Sequence, residues 1–454
     1  MCFLAFGFSP PSGCVRRLSL ALLCLVAVVK PAAYAAPNPG VVRTVATAVE
    51  TNLVHNILGV WFPRAIDREH GGYYENFSED WTRQSDNHKS LVCQSRLIWT
   101  TAQAAMRYPE RRAEFTEYSK HGFTFLRRHF WDSQFGGFYW GVDETGQPTT
   151  SRSTEKHVYG IGFGIYSAVS EFQATHDPQA LALASEGFRW LEKHAHDQKN
   201  RGYFEVLSRE GHPLLTTPAN DPKARDAIGT PYGYKSMNTH IHLLETFTAL
   251  YKVWPDRLVR RRLQEVFELI RDRVVALPGA QHLYFNLDWR PVPDHDSFGH
   301  DVETAYLLVE AATALGRNDD TRTWQVARAI VDHALQYGWD EKNGGFYDAG
   351  GVFGPPAVTD KIWWVEAEGL NALLLLHGRF GQETDRYWDA FLRQWEFIDR
   401  FQIDHRYGGW RARVTRDGTA AAGEGKGNAW TESYHQARSL FNVSQALKEA
   451  NAKL

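Results

Sequence analysis

Phe135-Gly136-Gly137-Phe138 is an aromatic turn built on a glycine pair, and the chain repeats it. His70-Gly71-Gly72-Tyr73 comes before it. Arg201-Gly202-Tyr203-Phe204, Gln281-His282-Leu283-Tyr284, Asn343-Gly344-Gly345-Phe346 and Tyr407-Gly408-Gly409-Trp410 follow. The fourth copy is degenerate, its nearest glycine being Gly279. Four of the five gaps are roughly 65 residues, the period of one supersecondary unit repeated. The third gap is lengthened by an insertion, Gly211 to Tyr234. Between the turns, apolar residues recur at helical spacing, as from Leu181 to Leu191 and from Leu263 to Val275, which predicts amphipathic helices. Phe346-Tyr347-Asp348 and Trp410 to Val414 are strand-like but too short to build a sheet domain. Each repeat therefore reads as helix, aromatic turn with a short hairpin, then helix. Six such pairs predict an all-α fold, an (α/α)6 barrel with short β-hairpins in the connecting loops at one end. One repeat cannot bury its apolar face alone. A single domain over 36–454 is therefore expected, although the length alone would allow about three.

The chain has 454 residues, 43% hydrophobic, with a net charge of −3. That balance gives no reason to expect nucleic acid or a polybasic membrane contact. Aromatic content is 13%, including 16 Trp. Most of these rings serve as core, yet aromatic faces also suit the C–H faces of pyranose rings. At the N-terminus, Arg16-Arg17 precedes an apolar run from Leu18 to Val29, and Ala33-Tyr34-Ala35 supplies small residues at −3 and −1. Residues 1–35 therefore read as a secretory signal peptide, too short in its apolar run to span a bilayer. A secreted or periplasmic protein is expected, with no membrane contact in the mature form. Cys2, Cys14 and Cys24 lie in that leader, which leaves Cys93 and no internal disulfide; a core of this size needs none. The insertion carries Pro213, Pro218, Pro222 and Pro231 among charges, and reads as a surface loop, either a lid or a solvated excursion.

After the turns, at similar distances, stand Arg96, His157, His242, His300, Trp364 and His435. Equivalent places in a closed ring converge on one mouth. His300 and Glu303 share a helical face, so that a carboxylate on one ring nitrogen would raise the basicity of the other. His240 and His242 cannot share a face, and the apolar residues after His242 favour it as the inward one. His435, in Trp430-Thr431-Glu432-Ser433-Tyr434-His435, would approach a central ligand from another side. Arg96 is a cation among apolar residues, either a structural ion pair or a donor to developing negative charge. Of Trp363 and Trp364, one can face the cavity while the other packs outward. Tyr159 can add a hydroxyl or simply pack. The His-x-His and His-x-x-Glu spacings are plausible metal ligands, but there is no cysteine partner and no His-Glu-x-x-His run. Glu303, Glu366 and Glu368 keep open a glycosidase built on paired carboxylates. A non-catalytic carbohydrate-binding cleft is a further reading.

Taken together, the segments Gln94–Trp99, Lys156–Tyr166, Met237–Glu245, Ser297–Glu303, Lys361–Leu370 and Trp430–Arg438 resemble the N-acylglucosamine 2-epimerase superfamily, and within it the cellobiose 2-epimerases. The resemblance covers essentially the whole mature chain. It implies the (α/α)6 barrel and inversion of C2 at the reducing-end sugar of a β-1,4-linked disaccharide such as cellobiose or mannobiose. A monosaccharide aldose–ketose isomerase or an N-acylglucosamine 2-epimerase is the alternative. It implies that His300 and His435 are the acid/base pair, with Glu303 supporting His300. His242 and Arg96 would open the ring and hold its oxygens. Trp364 and Trp430 would stack on the sugar, and Tyr159, Trp363 and Glu366 would add contacts. No cofactor or metal is implied, and a monomer or weak dimer is expected. The sequence departs from the pattern at Thr431-Glu432-Ser433 and Val365-Glu366, which bears on the preferred sugar more than on proton transfer.

Overall fold

The computed structural model describes residues 37–219, 221–276 and 278–453. The expected leader and its cleavage site lie outside these residues. Twelve long helices follow one another: α1 (Pro39–Thr51), α2 (Leu91–Arg107), α3 (Arg112–Phe125), α4 (Val158–Thr175), α5 (Pro178–Trp190), α6 (Met237–Val253), α7 (Arg257–Leu269), α8 (Phe298–Ala314), α9 (Thr321–Tyr337), α10 (Trp363–Phe380), α11 (Arg386–Phe397) and α12 (Tyr434–Lys453). The even-numbered helices pack side by side in order, and α12 closes the ring against α2. Each of α3, α5, α7, α9 and α11 packs outside the inner helix that precedes it, and α1 packs on α12. The fold is the (α/α)6 barrel expected from the repeats.

Chemistry follows polarity of burial. Inner helices are buried nearly all round, as in α4, where Val158 to Glu171 is buried throughout. Outer helices carry one apolar stripe, as in α7, where Val259, Leu263, Val266 and Phe267 face the ring. No helix among the described residues is long and apolar enough to cross a membrane.

Five of the six aromatic turns share one construction. Asp67, Asp132, Asp197, Asp340 and Asp404 each cap a turn, the Oδ1 of Asp67 accepting from Glu69 N and His70 N at 3.0 Å. The same pair of bonds recurs at the other four. The residues that follow turn left-handed. Gly137, at φ 70°, also lies where a Cβ would stand 3.0 Å from the Trp190 ring, so only glycine fits. Ahead of five of the six inner helices a buried lysine reaches the turn aspartate: Lys89–Asp67 at 2.7 Å, Lys235–Asp197 at 2.8 Å and Lys426–Asp404 at 2.6 Å, with Lys156–Asp132 and Lys361–Asp340 alongside.

Strands of two or three residues stitch successive repeats together, for example Lys156–His157 against Val206–Leu207 and Asp296–Ser297 against Ala349–Gly350. A bridge between Phe77 and Gly427 joins the last repeat to the first. Five of the six inner helices thus start directly from a short strand, and a bridge at Gly427 fixes the loop that leads into α12.

Candidate active site

Because the inner helices begin together, residues in their first two turns meet. A cavity of about 330 Å³ opens there. Arg96 enters from α2, Tyr159 from α4, Asn238 and His242 from α6, and His300 and Glu303 from α8. Trp363 and Trp364 enter from α10, and Trp430 and His435 from the start of α12 and the loop before it. Ala227 and Ile228 of the insertion complete the wall. The aligned N-terminal ends of six helices also place positive dipole ends around the cavity.

His300 and His435 both pack on the Trp364 indole, with ring centroids 4.8 and 5.7 Å away. Each has its Nδ1 engaged, which leaves Nε2 as the nitrogen available to the cavity. His300 Nδ1 meets Ser297 Oγ at 2.7 Å. His435 Nδ1 meets Glu368 Oε1 at 2.8 Å, with Glu303 Oε1 at 3.9 Å. Burial holds the His300 imidazole down at about 4, against the pull of Glu303. Burial, joined by the Arg96 charge, holds His435 well below its ordinary value. His242 Nδ1 lies 3.1 Å from Glu245 Oε2.

Behind the histidines is a continuous charged network. Arg438 donates to Glu303 Oε1 at 2.5 Å, to Glu368 Oε1 at 2.6 Å and to Tyr434 Oη at 2.7 Å, and it also bonds Glu245. Burial opposes ionisation of Glu303, yet the charges of His242, Arg438 and His435 outweigh it and hold that carboxyl low. Burial pushes its neighbour Glu368 up, Arg438 opposing and Glu303 adding to the rise. Arg96 donates to Tyr159 Oη at 3.0 Å and to Glu432 Oε1 at 3.2 Å, and its guanidinium lies 4.4 Å over the Phe163 ring. Glu432 is raised to about 7 by burial, against Arg96.

Three expectations are corrected. Glu303 does not hold the His300 ring; Ser297 does, because Glu303 is turned toward Arg438 and His435. Glu366 is not at the cavity. It is fully buried against Lys361 and the Gly345 turn, and burial raises it to about 8. Its place on α10 matches that of Gln94 and His240, whose side chains accept the turn N–H of Tyr73 and Tyr203 at 2.9 and 3.0 Å. His157 also points elsewhere, its Nε2 being 3.1 Å from Asp226 Oδ2, and Tyr159 takes the cavity position of that repeat.

His240 and His242 face opposite ways, so the His-x-His pair shares no ligand site. Glu303, Glu368 and His435 are close enough together to hold an ion, but the Arg438 guanidinium already occupies the carboxylates. Sequence reasoning missed Arg438 and Glu245 as site groups, and named Glu368 and Glu432 without the ion pairs they make here. Arg438 carried one signal: it falls one helical turn after His435. Asn238, Ala227 and Ile228 carried none.

The ring of aromatic and imidazole side chains around a cavity open at one end is that of a carbohydrate-active barrel. The sequence model of N-acylglucosamine 2-epimerase (GlcNAc 2-epimerase) matches residues 72–439, and the chain belongs to that family. It is 31% identical over 396 residues to a cellobiose 2-epimerase of Bacteroides fragilis, covering 87% of this chain and 97% of the relative. It is 25% identical over 411 residues to a D-mannose isomerase of Marinomonas mediterranea, covering 87% and 96%. Its structure resembles that of the cellobiose 2-epimerase from Spirochaeta thermophila, with a TM-score of 0.80, 28% identity and coverage of 90% and 98%.

Proposed function

We propose that this protein is a sugar 2-epimerase that inverts C2 of the reducing-end residue of a β-1,4-linked disaccharide such as cellobiose or mannobiose. The observation that carries the reading is the convergence of His300 and His435 on one cavity, both rings packed against Trp364. Trp364 and Trp430 stack on the sugar, with Tyr159 and Trp363 adding contacts. His242 and Arg96 open the pyranose and hold the C1 and O5 oxygens. The C1 aldehyde then acidifies the C2 proton, which one imidazole removes through Nε2. Charge that develops on the enediolate faces Arg96 and the N-terminal ends of the inner helices. The other imidazole returns a proton to the opposite face. His435 has the Glu368 and Glu303 carboxyls beside its Nδ1. His300, supported by a hydroxyl alone, is suited to act as the neutral base.

Cellobiose incubated with the protein in heavy water tests this. The expected product is the C2 epimer carrying deuterium at C2. A ketose as the main early product would point instead to the aldose–ketose isomerase that shares the enediolate. Monosaccharides would mean a glycosidase, and binding without turnover a carbohydrate-binding protein.

A further inference from the structure

The fourth repeat breaks the lysine–aspartate rule of the other five. His282 N donates to Val274 O as Phe204 N donates to Ala195 O. That shared register puts Ala276 at the place of Asp197. Ser297, like Ser236, is the residue just before its inner helix, so Asp296 stands where the others have lysine. The ammonium is gone and a carboxylate has replaced it.

Asp296 is fully buried, and neither of its carboxylate oxygens has a hydrogen-bond partner. Asp301, fully buried as well, lies beside it. His333 Nδ1, from α9, is 3.3 Å from Asp296 Oδ2 and 3.4 Å from Asp301 Oδ2. One ligand atom from each of the three residues lies within 4.8 Å of the others. The supports behind them are those of ligating groups. His333 Nε2 donates to the Val352 carbonyl at 2.6 Å, which leaves a lone pair on Nδ1. Gln281 Nε2 donates to Asp301 Oδ1 at 2.9 Å. Among the described residues, no lysine or arginine forms an ion pair with either aspartate, although two buried carboxylates need compensation. The two comparable clusters already hold donors on their carboxylates: Arg438 pairs with Glu303 and Glu368, while Ser236 and Thr239 donate to Glu205 and Thr230 donates to Asp226. His333 also borders a cavity of about 330 Å³ on the outer wall, beside Pro278, Asp332 and Tyr337, which gives a path from solvent.

We infer that Asp296, Asp301 and His333 bind one divalent cation, which replaces the lysine ammonium of the other repeats. One imidazole and two carboxylates suit a borderline ion, Zn²⁺ or Mn²⁺, better than Ca²⁺ or Mg²⁺. The ion clamps the start of α8 to α9. Asp296 adjoins Ser297, whose hydroxyl meets the His300 ring, so the ion is structural and positions that helix start without touching the sugar. The site stands apart from the epimerase reading and does not depend on it.

The test uses the full chain, assayed for metal content, then stripped with chelator and titrated with ZnCl₂ or MnCl₂ while Tm is followed. About one equivalent per chain is expected, with a rise in Tm of roughly 2–5 °C at saturation. Asp296→Asn should lose the response yet unfold no lower than stripped wild type, because a buried charge has gone. The pair Ala276→Asp with Asp296→Lys rebuilds the clasp of the other repeats and should ignore both cation and chelator. No response in wild type, or an equal response in Asp296→Asn, overturns the proposal. So does a stripped protein that ignores both ions while its Tm climbs as the pH is lowered, which would mean a proton shared between the carboxylates.

Discussion

Arg438 lies where carboxylates from three separate inner helices converge, Glu245, Glu303 and Glu368. Sequence alone could place it one turn after His435 but could not show what it neutralises, since those partners come from distant segments. The same limit explains Glu303. Its spacing from His300 was legible; the competing pull of Arg438 was not. Arg96, His242, His300, Trp364 and His435 were legible because each follows its turn at a similar distance, although His157, read from the same series, turns to Asp226 instead; Tyr159, Trp363 and Trp430 lie at the cavity outside that series. The depressed His300 has a consequence for stability. Its folded value of about 4 lies below the ordinary 6.5, so between those limits the unfolded chain binds the extra proton and stability falls as pH falls. The loss is roughly 3 kcal/mol across that window. Chemical denaturation at pH 6.5 and pH 4 should therefore show wild type losing more than His300→Gln. Equal losses would mean that this half-buried ring is not held neutral as described.

At the scale of the element, the turns were readable because left-handed backbone demands glycine, and the helices because their apolar residues repeat. The lysine–aspartate clasps went unread. Four of the five join residues 21 to 24 apart, and the insertion lengthens only Lys235–Asp197, to 38; the spacing was there, but nothing in it told a buried clasp from surface charge. The insertion illustrates the opposite case. Its prolines marked a loop but not a destination. In the fold Asp226 accepts from Ile228 N at 3.0 Å and Thr230 N at 2.8 Å and pairs with His157, which sets Ala227 and Ile228 against the cavity. Asp226→Ala should release that wall. Steady-state kinetics on cellobiose should show KM raised roughly tenfold and kcat little changed, the cost of one or two lost hydrogen bonds acting on binding alone. An unchanged KM would make the insertion a bystander.

The whole molecule is what turns scattered residues into a site. No inner helix supplies two of the proposed proton carriers; His300 comes from α8 and His435 from α12. They meet because the ring closes, with α12 packed on both α2 and α10 and the Phe77–Gly427 bridge joining its ends. The six-fold repeat made the closed ring legible, and the ring made a common mouth legible. What the repeat could not convey is where it is broken, at Ala276 and Asp296, since a degenerate copy reads as noise until its partners are seen. The central claim is that two imidazoles serve opposite faces of one carbon. The most direct measurement is exchange of the C2 hydrogen with heavy water in His300→Ala and His435→Ala, each given cellobiose and, separately, its C2 epimer. The account predicts that each variant loses net epimerisation by about 10²–10⁴-fold, with residual exchange confined to one epimer in His300→Ala and to the other in His435→Ala. Residual exchange from the same epimer in both variants would contradict it.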